Sequence, residues 1–595
     1  MLGFLRLSRF QYRQLTHARE VRLVTLLPGY GFESIRCNIS HSSLDESPNY
    51  EAVSYCWGSS KRTRSIDCNG SQLHVTDELH TVLRNLRRRS SVVKLWTDQI
   101  SIDQDNVAER SAQVQLMGEI FGRARKVLIW LGVGNKSSRN ALDLARRVLE
   151  ISEAHPEIEM SPDNLDRLRL PHWSHSDWGD LGSLLGKDWF RRTWTIQETV
   201  MAARAIIMCG DDELDWNRFS RLIRTIPFTP NLKAIGKSET STPPAVRHIL
   251  GLDQCRKSWK NGQRESLADL LIKFKSSQSS DPKDKVYGLL GMGDQAIDIT
   301  PDYLMKVEDI YIDTATRIIT KTLPNTTNGY SLSNKHWRAG MGIILSAGLS
   351  NQRLGLPSWV PDWSVNSVSE SFWKDMRLGH QAGGKFVGTI EVLDGNKLQV
   401  YARILDRIVS TTTALEYDKL SGAMRLQDSV ADWFEAARSR AAQLPRPYPT
   451  GGSTMDAFKA TIIANRVPAG DIYRTASRED REIYYHAFDF LHDIRSSQWE
   501  GIRFLPEAIS SHHLQRILFE TNGRLFFTTK NGYMGLASKG AQPGDLVAVI
   551  GGANVPILLR PHNGDYKLIA DCYVHGLMRD TVPMYDIIEQ PVVLV

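Results

Sequence analysis

Four short apolar runs, Ala52–Tyr55, Val92–Trp96, Lys126–Leu131 and Ala205–Cys209, constrain the first third of this chain more than any other feature. Segments with helical periodicity separate most of them, and that alternation is the pattern of parallel strands joined through helical crossovers. A helix is expected from Asp77, with Thr76 as its N-cap and Leu79, Val82, Leu83 and Leu86 on one stripe. Asn106-Val107-Ala108-Glu109 has capping-box spacing and opens a second helix whose Val114, Met117, Phe121 and Ala124 face a core. The expected fold is α/β, a doubly wound and mostly parallel sheet over residues 20–212, led by a strand at Val21–Leu26.

The character then changes twice. Residues 213–385 read as a mainly helical region, with Lys237–Pro244 as a linker and helices at Ser266–Phe274 and Val307–Thr320. Residues 386–595 read as mixed α+β. Val387–Val392 and Leu398–Ile404 flank Asp394-Gly395-Asn396 as a hairpin, and helices follow near 429–442 and 478–494, with a loop at Pro445–Thr454. The tail is β-rich, with Leu525–Thr529 turning at Asn531-Gly532 before Leu546–Ile550, Val555–Leu559 and Tyr566–Val574.

Composition narrows the partners. A formal charge of +6, from 73 basic and 67 acidic residues, gives no footprint for nucleic acid. The densest basic run, Arg87-Arg88-Arg89, closes a helix, where cations suit the dipole. No apolar run reaches bilayer-spanning length, and six scattered cysteines without a CxxC pair suit a reducing compartment, so a cytoplasmic location is expected. Residues 1–19, the N-terminal lead, hold no acid and several arginines, as a transit peptide would, but run directly into the first strand.

Familiar catalytic motifs are missing. Gly132-Val133-Gly134-Asn135-Lys136-Ser137 lacks the glycine before lysine that a phosphate loop needs. His172-Trp173-Ser174-His175 has no further ligands at metal-binding spacing, and no metal is expected. There is no GxSxG or HExxH.

Three ordered clusters remain: Tyr50-Glu51-Ala52-Val53-Ser54-Tyr55-Cys56-Trp57-Gly58; Leu95-Trp96-Thr97-Asp98-Gln99-Ile100-Ser101-Ile102-Asp103-Gln104 with Glu109-Arg110 and Gln113; and Arg192-Thr193-Trp194-Thr195-Ile196-Gln197-Glu198. Together with Ile129-Trp130-Leu131-Gly132 they resemble the heterokaryon incompatibility (HET) domain of fungi. That family shows SY-x-WG, then W-x-D-x-x-C-I-N-Q and E-R-x-x-Q-V, then R-x-W-x-x-QE. Ser101 stands where the family usually has Cys, and Asp103 where it usually has Asn. Asp281–Gly291, Leu356–Trp363 and Tyr573-Val574-His575-Gly576 are similar to segments that commonly follow a HET domain. The resemblance implies a self/non-self recognition effector that triggers growth arrest or death of incompatible fused cells. The rival reading is a non-catalytic module that assembles with itself or with a partner protein.

The clusters also resemble TIR domains, doubly wound α/β modules of which some cleave NAD. In that comparison Ala52–Tyr55 stands as the first strand, Lys126–Leu131 as a central one, and Trp194 and Glu198 as the tryptophan and glutamate four residues apart. The residues add their own argument. A helix from Asp188 through Met201 would place Phe190, Trp194, Glu198 and Met201 on one stripe, a carboxylate on an apolar face. Glu198 is then either a catalytic carboxylate, with NAD as substrate rather than cofactor, or a structural acid paired with Arg191, Arg192 or Arg204 or capping a turn. Tyr55, Trp57, Gly58, Asp98 and Gln104 end or follow expected strands, where open parallel sheets bind ligands, so with Trp194 they are the candidate substrate contacts. Each has a plainer alternative: Trp57 as core, Gly58 as a positive-φ turn and Asp98 as a loop cap. The motif density before residue 200 further predicts that residues 1–215 carry the toxic output and the remainder regulates it.

Overall fold

The computed structural model describes the chain apart from residues 1–7, 32, 159, 161–163, 227–243, 295–296, 324–334, 349–351, 366–371, 373–379, 385–388, 395, 416–421, 470–471, 497–519 and 580–586. The expected linker Lys237–Pro244 lies almost wholly outside the described residues. Contacts divide the chain into two units, the first ending at Lys306 and the second beginning at Val307.

The first unit is built on nine strands: β1 (Glu20–Leu26), β2 (Arg36–Ser43), β3 (Glu51–Ser54), β4 (Arg64–Cys68), β5 (Ser71–Val75), β6 (Val93–Trp96), β7 (Lys126–Trp130), β8 (Ala205–Cys209) and β9 (Asp212–Asp215). They form one sheet in the order β5-β4-β2-β1-β6-β3-β7-β8-β9. Its centre, β6-β3-β7-β8, is parallel throughout. These are the four runs anticipated from sequence. They are mainly apolar because both faces are largely covered, with Lys94 of β6 left exposed: Val53, Leu95, Leu128 and Ile206 pack with Leu79, Val82 and Leu83 of α1 (Asp77–Leu86), while Trp96 meets Phe121 edge-on at 5.4 Å. Strand β8 is buried at every position.

The expectation of a mostly parallel sheet needs correction, because the sheet is mixed. Pairs β1–β2, β1–β6, β4–β5 and β8–β9 are antiparallel. The additional strands outside the parallel centre are polar and partly exposed, as in the Arg36–Ser43 run, so they lack the apolar signature of central strands. One local signal did mark them: Asn69-Gly70 joins β4 to β5 with φ of 51° and 74°, as a type I′ hairpin requires.

Among the described residues the further helices of this unit are α2 (Asp98–Ser101), α3 (Val107–Arg123), α4 (Lys136–Ala154), α5 (Ser176–Leu185), α6 (Trp194–Val200), α7 (Trp216–Thr225), α8 (Pro244–Lys260), α9 (Leu267–Lys273) and α10 (Asp284–Leu290). Thr76 and Asn106 cap α1 and α3 as anticipated, each accepting from the backbone N–H three residues on. The Gly132–Ser137 stretch serves a structural end, since Asn135 and Ser138 form a reciprocal capping box that starts α4. Nearby, Arg22 of β1 and Glu109 of α3 form a buried ion pair at 2.5 Å.

The second unit adds β10 (Ile390–Leu393), β11 (Lys397–Thr411), β12 (Arg466–Ala469), β13 (Ile472–Thr475), β14 (Arg524–Thr529), β16 (Leu546–Ile550) and β19 (Gln590–Leu594); β11 is long enough to pair with β10, with β19, with β16 through its middle and with β14 at its end. Register shifts between Ile404 and Asp406 and between Ile408 and Ser410 bend it. With β15 (Met534–Ser538), β17 (Ile557–His562) and β18 (Asp565–Val574) it closes an antiparallel six-strand barrel, filled by Ile408, Leu525, Phe527, Val547, Leu558 and Ile569 among others. The anticipated hairpin turns where Asn396 has φ 61°, and the one after β14 where Gly532 has φ 85°. Among the described residues no helix is long and apolar enough to cross a membrane.

Candidate functional site

The site lies beyond the carboxyl ends of β3 and β6, where parallel strands leave their last backbone groups unpaired and loops diverge. β3 ends at Ser54 and continues into Tyr55, Cys56, Trp57 and Gly58; β6 ends at Trp96 and continues into Thr97 and Asp98. α6 brings Glu198 to the same place. It is not the helix expected from Asp188 through Met201. A 3-10 turn at Asp188–Arg191 stops, Arg192 is extended at φ −78° and ψ 144°, and α6 begins at Trp194. The anticipated stripe is therefore split, although Phe190 and Glu198 are both buried.

Glu198 is 6% exposed and forms no ion pair within salt-bridge distance in the described structure. Its carboxylate accepts from the Ser54 hydroxyl, and Ser54 Oγ in turn accepts from the Trp189 indole N–H at 2.8 Å. Burial pushes the Glu198 carboxyl up to about 7; the hydrogen bond from Ser54 and the more distant Arg192 offset it only in part, and the Asp98 charge adds to the rise. Arg192 instead donates to the Tyr55 carbonyl at 3.0 Å and bonds the Cys56 thiol. Both the simple ion pair and the turn cap considered for Glu198 thus give way to a hydroxyl-bridged acid.

Asp98 keeps part of its surface at the solvent while its carboxyl is enclosed. It accepts from the Trp57 indole at 2.7 Å and from the Gln99 backbone N–H at 2.8 Å, and burial still raises its proton affinity. The buried Tyr55 hydroxyl sits beside Asp98 and Thr97, yet neither that hydroxyl nor Thr97 Oγ1 makes a well-formed hydrogen bond. Tyr55, Asp98 and Glu198 are thus brought together, with Trp57 joined through Asp98.

The other candidates fall outside this cluster. Gln104 donates to the Asp98 carbonyl at 2.8 Å and so closes the α2 turn. Gly58 has φ 64° and serves the turn after β3. The Trp194 indole bonds Asp284, whose buried carboxyl also accepts from Tyr303 at 2.7 Å and is pushed up to about 6 by burial. Ser54, Trp189 and Asp284 went unassigned in the sequence reading. Ser54 was the legible one, as the last residue of the strand in the SY-x-WG pattern; Trp189 and Asp284 reach the site only through tertiary packing.

Residues 50–198 match the family described as Heterokaryon incompatibility protein (HET), and residues 469–586 match the family described as Het-6 beta-barrel domain. The chain is 25% identical to Heterokaryon incompatibility protein 6, OR allele, of Neurospora crassa, across 94% of this chain and 93% of that protein. No solved structure matches it. The Ser54–Glu198 contact joins the first and last motifs of the matched segment, so the chain carries a HET domain at residues 50–198 and is similar over most of its length to a fungal heterokaryon incompatibility protein.

Proposed function

We propose that this protein is a cytoplasmic effector of self/non-self recognition that arrests or kills incompatible fused cells, and that its output is chemistry at Glu198. The observation that carries the reading is a buried glutamate at the carboxyl end of a parallel sheet, bridged to Ser54 and not neutralised by a cation, with a proton affinity near neutrality. The central order β6-β3-β7-β8 is 2-1-3-4 in order of appearance, the doubly wound order shared by TIR-like folds, and it supports that fold assignment. The six free cysteines are consistent with a reducing compartment.

The proposed reaction is hydrolysis of NAD. The bond between ribose C1′ and the nicotinamide nitrogen breaks, its electron pair leaves with nicotinamide, and water supplies the oxygen to C1′ while one proton is released. A carboxylate at Glu198 stabilises the oxocarbenium-like transition state, and Asp98 with Tyr55 contacts the ribose hydroxyls. A second reading, assembly without catalysis, is favoured by the low exposure of Glu198 and Tyr55.

Glu198→Gln in the full-length protein separates the two. Expression in a fungal host and nicotinamide release by purified protein are the readouts. The enzyme reading expects killing to be lost and release to fall roughly 10²–10³-fold. Killing by the unaltered protein without NAD cleavage would transfer the function to assembly.

A further inference from the structure

The HET family match ends at residue 198, at the glutamate itself. Ser54 bonds its carboxylate from within the match, but much of what anchors the stretch that carries it comes afterwards in the chain. Gln278 inserts beside the break between the 3-10 turn and α6, its N–H donating to the Arg191 carbonyl at 2.5 Å and its carbonyl accepting from the Thr193 N–H at 2.9 Å. This one-residue parallel bridge flanks Arg192. Thr193 Oγ1 and Ser277 Oγ are 2.8 Å apart. One residue on, Trp194 is bonded by Asp284, and Asp284 is bonded by Tyr303, over whose ring the Arg110 guanidinium of the E-R-x-x-Q-V helix lies at 4.2 Å.

The rest of α6 is held in the same manner. Gly291 donates its N–H to Gln197 Oε1 at 3.2 Å, and a Cβ on Gly291 would stand 2.7 Å from that oxygen. At the carboxyl end the buried Arg256 guanidinium donates to the Thr199 and Ala202 carbonyls at 2.5 Å each and to the Ala203 carbonyl at 3.2 Å, taking up groups a helix end leaves unsatisfied.

We infer that Arg256, Ser277, Gln278, Asp284, Gly291 and Tyr303 complete the Glu198 site, with Gln278, Asp284 and Gly291 acting as positioning residues that hold the Arg192–Glu198 stretch at the carboxyl ends of the strands. A seven-residue helix has little stability of its own, so its place is set by what anchors it. A chain ending at residue 215 lacks every one of these anchors, contrary to the expectation that such a piece acts alone. The inference deepens the reading of Glu198 as the functional carboxyl, but the arrangement it describes can be measured without any reaction.

The test uses the full chain and amide hydrogen exchange. Asp284→Ala removes the acceptor of the Trp194 indole and the Tyr303 hydroxyl, whereas Asp284→Asn keeps an acceptor oxygen. Gly291→Ala is the second variant; its φ of −64° suits alanine, so any effect arises at Gln197 and not from backbone strain. Amides of residues 192–200 are expected to exchange roughly ten- to hundredfold faster in Asp284→Ala and Gly291→Ala, with strands β1 and β2 unchanged and Asp284→Asn restored close to the original rate. Killing is expected to follow the same order. Unchanged protection of residues 192–200 in both variants, a uniform loss of protection across the unit, or Asp284→Asn as impaired as Asp284→Ala would each overturn the inference. If the unaltered protein releases no nicotinamide, the NAD reading fails on its own and the exchange result still decides this one.

Discussion

The two units each bury a glutamate, and they treat it in opposite ways. In the second unit Glu520 is fully enclosed between two buried arginines, accepting from Arg466 Nε and Nη2 at 3.0 and 2.8 Å and from Arg524 Nη1 at 3.1 Å. Phe372 lies 3.8 Å from the Arg524 guanidinium, and its own N–H donates to Asp571 at 2.6 Å. In the first unit Glu198 has one hydroxyl donor, and the nearby Arg192 is engaged with a carbonyl and a thiol. A buried carboxylate with two guanidinium partners holds a structure together, whereas burial with a single neutral donor raises the ionisation of Glu198 into the range useful for chemistry. Burial alone therefore does not mark a functional acid; the extent of compensation does.

Breaking the compensated network has the largest expected effect. Glu520→Gln leaves two buried guanidinium groups facing a neutral side chain, and is expected to cost roughly 3–5 kcal/mol in the unfolding of the second unit, followed by exchange in Arg524–Thr529 against urea. A loss below about 1 kcal/mol would mean that the network is not what holds this part of the barrel.

The uncompensated acid is expected to respond with the opposite sign. Its folded carboxyl sits at about 7 against an ordinary 4.5, so between those values the folded protein keeps a proton that the unfolded chain has lost. Stability therefore falls as pH rises from about 4.5 to about 7, and the penalty is complete above that range. Glu198→Gln escapes the penalty and is expected to be more stable than the unaltered protein by roughly 2–3 kcal/mol at pH 8, with the difference vanishing below about pH 5. Melting curves at the two pH values check this. A variant less stable at pH 8 would show that a cation compensates Glu198 after all.

The smallest effect sharpens the comparison within the site. Trp57→Phe removes the indole donor to Asp98 and keeps most of the ring volume, and because Asp98 is half-buried the cost is expected near 1 kcal/mol. The pH profile of any activity should move upward with it, since Asp98 loses a donor that favours its charged form. An unmoved profile would remove Asp98 from the functional cluster.

Much of the fold was legible because local rules and tertiary packing agree where strands are buried on both faces and helices carry caps. Ala205–Cys209 is apolar since it is buried at every position, Val93, Leu95 and Trp96 are apolar where β6 is buried, and Thr76 and Asn106 cap because the next turn needs an acceptor. The polar strand β2, between β1 and β4, and the edge strand β9 escaped notice since half-exposed strands carry a weaker pattern. For the site, sequence brought Tyr55, Asp98 and Glu198 forward through motif and strand-end position, while Gln104 and Gly58 were placed nearby in the chain and proved to serve turns.

By itself, then, the sequence determined the four parallel central strands, the capped starts of α1 and α3, and the hairpin turns at Asn396 and Gly532. The break at Arg192–Thr193 was beyond it. Residues 188–201 have a helical pattern, and helix formation there loses to two main-chain hydrogen bonds from Gln278, a residue more than eighty positions away. The ionisation of Glu198 was equally a tertiary outcome: Arg191, Arg192 and Arg204 are all close in sequence, and only the packed structure directs Arg192 to the Tyr55 carbonyl and leaves Glu198 to Ser54. Local energies favour a secondary structure by fractions of a kcal/mol per residue, and a few long-range hydrogen bonds in a desolvated site are enough to overrule them.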